Sequence, residues 1–264
     1  MRRQAFALAL VLGTLAAASA RAETAVDLEL VLAVDISRSM DPDEQQLQRD
    51  GYVAAITNPD LIAAITHGTR GKIALTYVEW SGPILQKIVV DWRVIDGMPA
   101  ARAFAEALAQ APLTTHRGTS ISAGLAFAKG RFESSGVDAP RRVIDISGDG
   151  PNNMGLPVEL VREEVVGAGI TINGLPIMIK QAGDFLSIPN LDAYYQDCVI
   201  GGAGAFMEVV RSAAEFETAI RRKLVLEIAG GTAQPSRLIP AASEDAARVD
   251  CLIGEKLRRK LMNE

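Results

Sequence analysis

One carboxylate and two hydroxyls stand at alternate positions in Asp35-Ile36-Ser37-Arg38-Ser39, directly after the apolar run Leu30 to Val34. Three hard oxygen donors, placed where a buried strand gives way to a loop, suit a cation such as Mg²⁺. Two further donors follow. Thr119 comes after Gly118 in Thr114-Thr115-His116-Arg117-Gly118-Thr119-Ser120, and Asp149 lies in Ser147-Gly148-Asp149-Gly150, just beyond the apolar stretch Val143 to Ile146. Taken alone, an Asp-x-Ser-x-Ser segment is more often a turn or a cap, because these side chains readily bond nearby backbone. What points to a cation is the ordered set of five, each at a strand end or in a loop.

Other chemistries can be read from overlapping residues. Asp35, His67 and Ser120 occur in the order of a subtilisin-like protease triad, with local words His67-Gly68-Thr69 and Gly118-Thr119-Ser120 similar to that family's. Asn152 or Asn153 would then serve as the oxyanion donor. Only 53 residues separate His67 from Ser120, however, and an antiparallel strand pair must fit between them. A phosphatase using Asp35 as nucleophile would want a second carboxylate two residues on, where Ser37 stands. His67 and His116 are the only histidines, which excludes a zinc site of three imidazoles. Gly201-Gly202-Ala203-Gly204 lacks dinucleotide-binding spacing and Gly71-Lys72 lacks the preceding glycine of a phosphate loop, so both read as turns.

The elements that must position these groups follow from periodicity. Leu28 to Val34, Ile73 to Val78, Val143 to Ile146 and Ile170 to Ile179 are apolar runs suited to parallel strands covered on both faces. Helical patterns separate them: Asp43 to Ile56, Leu61 to Thr66, Ala100 to Ala109, Ser120 to Phe132, and Pro157 to Val166. Asp41, Pro42 and Glu44 form a helix start close to a capping box, immediately beyond Ser39. Lys72 to Trp80 and Ile84 to Trp92 are joined by three residues, too few for a parallel crossover, so they are expected to pair antiparallel at a sheet edge. A last strand is expected near Ala205 to Val210, followed by a helix from Ser212 to Ile228. The alternation implies an α/β fold with a doubly wound sheet and helices on both faces. Ligands of such sheets bind beyond the carboxyl ends of the strands, where Asp35 and Asp149 fall.

Asp35-x-Ser37-x-Ser39, then Thr119 after a glycine, then Asp149-Gly150 at a strand end, resembles the metal-ion-dependent adhesion site of von Willebrand factor type A domains. The resemblance covers about residues 25 to 230 and extends to a bacterial group of exported proteins of this fold whose function is undefined. It implies a mostly parallel sheet of six strands with one antiparallel edge strand. It also implies a Mg²⁺ or Mn²⁺ ion held by Ser37, Ser39 and Thr119, with Asp35 and Asp149 binding directly or through water. The remaining coordination position would accept an acidic side chain of a protein partner, and no catalysis is expected. Two departures stand out. Gly148 occupies a place where a hydroxyl residue is common, and Asp145 interrupts a strand that is usually apolar; it is expected to pair with Arg141 or Arg142, since a buried charge needs a partner.

Met1-Arg2-Arg3, the apolar stretch Ala5 to Ala18 and the small residues after it have the order of a secretory signal peptide, with cleavage after Ala20 or Ala22. That stretch is shorter than the ~20 residues of a membrane span, so no stable membrane anchor is expected and the destination is periplasmic or secreted. Residues 1–22 are thus the signal, 23–230 the domain, and 231–264 a linker with a C-terminal amphipathic helix packed back on it. Loss of Arg2, Arg3 and Arg21 moves the net charge from −5 to −8, which argues against nucleic acid as a partner. The only cysteines, Cys198 and Cys251, can form one bridge in an oxidising compartment and tie the tail to the domain. In the tail, Val249, Leu252, Ile253, Leu257 and Leu261 form a helical stripe, and Arg258-Arg259-Lys260 complements the helix C-terminus.

Overall fold

The computed structural model describes residues 23–179, 187–230 and 248–263. The expected signal peptide, 1–22, and most of the expected linker, 231–247, lie outside the described residues. The strands are β1 (Thr24–Ala25), β2 (Glu29–Asp35), β3 (Ile73–Trp80), β4 (Gln86–Ile95), β5 (Val137–Asp138), β6 (Arg142–Gly148) and β7 (Thr171–Pro176). The helices are α1 (Pro42–Ile56), α2 (Pro59–Thr66), α3 (Met98–Ala109), α4 (Ile121–Arg131), α5 (Val158–Gly167), α6 (Leu191–Tyr194), α7 (Phe216–Ile228) and α8 (Ile253–Asn263).

The main sheet has the order β4-β3-β2-β6-β7, parallel except for β4, which pairs antiparallel with β3 at one edge. β1 and β5 form a separate two-stranded ribbon. Alternate residues of β2 divide between two cores. Leu30, Leu32 and Val34 pack with Tyr52, Phe104 and Phe216 of α1, α3 and α7, whereas Val31 and Ala33 pack with Leu125, Val161 and Tyr194 of α4, α5 and α6. Both faces of β2 are therefore dry, which accounts for its unbroken apolar run.

Among the described residues the main sheet has five strands, not the six expected. Residues 205–210 do run beside β7, with Glu208 N–H donating to the Gly174 carbonyl (3.1 Å) and Val210 N–H to that of Pro176 (3.0 Å). Proline has no N–H to return, so the ladder breaks at Pro176 into single bridges, Gly174 with Met207 and Ile177 with Val210. The final domain helix likewise begins at Phe216, after a 3₁₀ turn over Ala213–Glu215.

Asp145 has a different partner from the arginines expected. It shares the β6 face of Val143, toward α7, and Lys223 Nζ lies 2.6 Å from its Oδ1 while also pairing with Glu227. Arg141 instead donates to the Glu227 and Ile228 carbonyls, and Arg142 to that of Ala168. One buried cation thus faces two buried carboxylates. Burial and then the Asp145 charge push the Glu227 carboxyl up to about 7, against the pull of Lys223.

Candidate metal centre

The capping box at the start of α1 fixes the loop that leaves β2: Glu44 N–H donates to Asp41 Oδ1 and Asp41 N–H to Glu44 Oε2, both at 2.9 Å. Asp35 closes β2 with no solvent exposure, and its Oδ1 accepts the Ser37 N–H at 2.7 Å. Ser37 Oγ is 2.8 Å from Ser39 Oγ, and Ser39 Oγ donates to Asp149 Oδ1 at 2.6 Å. Asp149 follows β6, the neighbour of β2, so a chain of polar contacts crosses from one strand end to the other.

The Thr119 loop is strapped to the same place. His116 N–H donates to the Ile36 carbonyl at 3.1 Å, and Arg38 N–H donates to the His116 carbonyl at 2.8 Å. Gly118 has φ +87°, and a Cβ there would fall 2.2 Å from Met154 Sδ, so only glycine fits the bend. Asn153 holds Thr119 from both sides: its Oδ1 accepts the Thr119 N–H (3.1 Å) and its N–H donates to the Thr119 carbonyl (2.9 Å). Thr119, Ser37, Ser39 and Asp149 line one cavity of about 770 Å³ at the carboxyl end of the sheet, with Asp35 buried behind them.

Three contributors escaped the reading of sequence. Asn152 and Asn153 act as loop clamps rather than oxyanion donors, and the signal available was their position just after Asp149-Gly150. Tyr195 is fully buried, and its hydroxyl lies 3.5 Å from the Gly148 carbonyl. Gly148 is small for a reason: a Cβ would come within 3.0 Å of both Asp35 Oδ2 and Tyr195 Oη.

The donor set fits a hard divalent cation. Among the described residues, Asp35 Oδ2 is buried without a hydrogen-bond partner. Burial first and the Asp149 charge second raise the Asp35 carboxyl well above the ordinary range, against hydrogen bonds from Ser37 and the Asp149 backbone. Two adjacent acids, one of them dry, form an arrangement that a cation relieves. Among the described residues no three His, Cys, Asp or Glu side chains cluster as metal donors, so the candidate set is defined by its hydroxyls.

The protease constellation is not assembled. His67 caps the far end of α2, its Nδ1 2.6 Å from the Ala63 carbonyl, and the neighbouring Gly68 packs on Asp27, which precedes β2. A whole strand separates it from Asp35. Ser120 is fully buried as the N-cap of α4.

This architecture is the von Willebrand factor type A fold. A von Willebrand factor type A structure from Catenulispora acidiphila superposes with a TM-score of 0.53 at 16% identity, covering 77% of this chain and 43% of that one. Proximal thread matrix protein 1 from the mussel byssus gives 0.57 at 15%, covering 78% and 49%. Its form with a zinc-occupied MIDAS motif gives 0.54 at 16%, over 78% and 49%. The pilus adhesin SpaC from Lactobacillus rhamnosus GG gives 0.56 at 12%, over 79% and 31%. At such identities the likeness is one of fold, and this chain spans less than half the length of each. A search of curated proteins finds no match. The chain belongs to the family described as "Protein of unknown function (DUF1194)", whose model matches residues 25–232.

Proposed function

We propose that Ser37, Ser39 and Thr119, with Asp35 and Asp149 directly or through water, hold a Mg²⁺ or Mn²⁺ ion, and that a protein partner binds there through an acidic side chain. The observation carrying this reading is the buried Oδ2 of Asp35, without a hydrogen-bond partner among the described residues and beside Asp149, where two strand ends meet. When bound, such an ion supplies an electrophilic seat for an external carboxylate. Where the two carboxylates bind through water, the three direct hydroxyl donors are neutral and leave ionic charge to attract an external acid, while Asn153 and the Ser37–His116 bridge tie the loops in place. The reading is of a binding module, not an enzyme. Asp35 has no exposed surface from which to attack a phosphate, and the three triad candidates lie apart. Export to the periplasm or beyond is part of the proposal, supported by the N-terminal pattern and by the Cys198–Cys251 disulfide.

Calorimetric titration with Mg²⁺ and Mn²⁺ tests the site. Wild type is expected to give saturable heat, and Thr119→Ala or Asp35→Ala to weaken affinity by about 100-fold or more, because losses in the second shell alone reach 10–100-fold. Circular dichroism of both variants should stay that of wild type. Equal heats for wild type and variants, or none for any, would refute the assignment.

A further inference from the structure

The cavity that holds the candidate ligands extends beyond them to the C-terminal helix. Arg258, Leu261 and Met262 of α8 line it, together with Ile188 and the flanking Arg38 and Arg117. Helix α8 is fixed there by three contacts. The Cys198–Cys251 disulfide brings the two Cα atoms to 5.6 Å just before the helix starts. Gly254 abuts the Asn152 carbonyl so closely that a Cβ would fall 2.1 Å from it. Glu255 Oε1 accepts from Asn152 Nδ2 at 2.7 Å. Asn152 and Asn153 belong to the loop that clamps Thr119, so the helix rests on the same support as the candidate metal ligands.

The stripe expected to pack on the domain is only partly used for that. Val249 and Ile253 pack against the core, whereas Leu261 is 39% exposed at the cavity, with Met262, outside the stripe, 73% exposed beside it. Arg38, Arg117 and Arg258 make no ion pair and no side-chain hydrogen bond among the described residues. Three uncommitted guanidinium groups around one opening, on a chain of net charge −5, give this face a sign opposite to the whole. Two acids also line the cavity: Glu44, engaged in the α1 capping box, and Asp149, which belongs to the candidate metal site.

We infer that α8 is one wall of the partner groove, and that the groove takes an acidic protein segment carrying a bulky aliphatic side chain next to the carboxylate that enters the metal site. The inference rests on the metal-site reading above. The arginines attract and orient the acidic segment, and the Leu261–Met262 surface removes the aliphatic side chain from water. Arg258 then serves the ligand rather than the helix terminus.

The test uses the full oxidised chain with saturating Mn²⁺ and three fluorescein-labelled hexapeptides, Gly-Gly-Glu-Leu-Leu-Gly, Gly-Gly-Glu-Gly-Gly-Gly and Gly-Gly-Gln-Leu-Leu-Gly, followed by anisotropy. The first is expected to bind at least about tenfold more tightly than either of the others, the change that burial of one leucine side chain supports. Arg258→Gln and Leu261→Asp should each reduce its affinity about tenfold with the Mn²⁺ heat unchanged. Equal binding of the leucine and glycine peptides, or unaltered affinity in both variants, overturns the groove while leaving the metal site standing. Mn²⁺ heat without binding of any peptide does the same, whereas absence of Mn²⁺ heat removes both readings.

Discussion

Lys223→Met is expected to destabilise the protein by about 3–5 kcal/mol at pH 8, the usual consequence of removing one partner from a buried ionic group. Lys223 has no exposure and lies between Asp145 and Glu227, so the variant leaves two dry carboxylates without a cation. The loss should be smaller at pH 5. An acid whose folded pKa is raised contributes stability that is lost as pH climbs, and both carboxyls can take up protons at the lower pH. The same sign applies to wild type. Glu227 holds its proton to about pH 7 in the folded state against about 4.5 in the unfolded chain, so its contribution is full below pH 4.5 and declines up to pH 7. The slope is at most about 1.4 kcal/mol per pH unit for one proton. Urea denaturation at pH 5 and pH 8 measures both effects, and a Lys223→Met loss independent of pH would contradict this account.

Arg49→Ala should cost a comparable amount, about 3–5 kcal/mol, by stranding Glu79 on β3. The Arg49 side chain is 3% exposed and that of Glu79 1%, and the guanidinium also donates to the Leu108 carbonyl (2.8 Å) and the Ala111 carbonyl (3.0 Å). One side chain therefore joins α1, β3 and the end of α3. Lys87, 3.7 Å from Glu79 and partly exposed, is too remote to replace it. Thermal unfolding of Arg49→Ala and Arg49→Lys measures the effect. Lysine should recover only part of it, because it lacks the planar fork that reaches both carbonyls and the carboxylate. A fall of less than 1 kcal/mol in the alanine variant would contradict the assignment.

Much of the fold was legible because its signals are local. The capping box at Asp41, the apolar run of β2 and the short link before β4 each state their structure within a few residues. What escaped depends on what lies opposite in space. The run at 205–210 reads as a strand, yet whether its neighbour can return a hydrogen bond turns on Pro176, some thirty residues earlier in the chain. Asp145 needed a cation, and period-two alternation shows that it faces α7; sequence order alone favoured the adjacent arginines. At the site, the order of Asp35, Ser37, Ser39, Thr119 and Asp149 marked side chains that the fold gathers at one end of the sheet. The Tyr195 hydroxyl beneath them was invisible, because an aromatic in a short apolar helix carries no sign of what its polar tip touches.

The pairing of β2 with β3 sets Trp80 directly beside Asp35 in register, and the Trp80 carbonyl accepts the Ile36 N–H at 2.9 Å. The indole is fully buried, pressed against Gly124 at the first turns of α4, and Trp92 is the only other tryptophan in the chain. Loading of the neighbouring loop should therefore change the intrinsic emission of Trp80, and a Trp92→Phe protein would isolate that signal. Under the proposed cation site, Trp80 would then report occupancy at micromolar concentration without any attached dye.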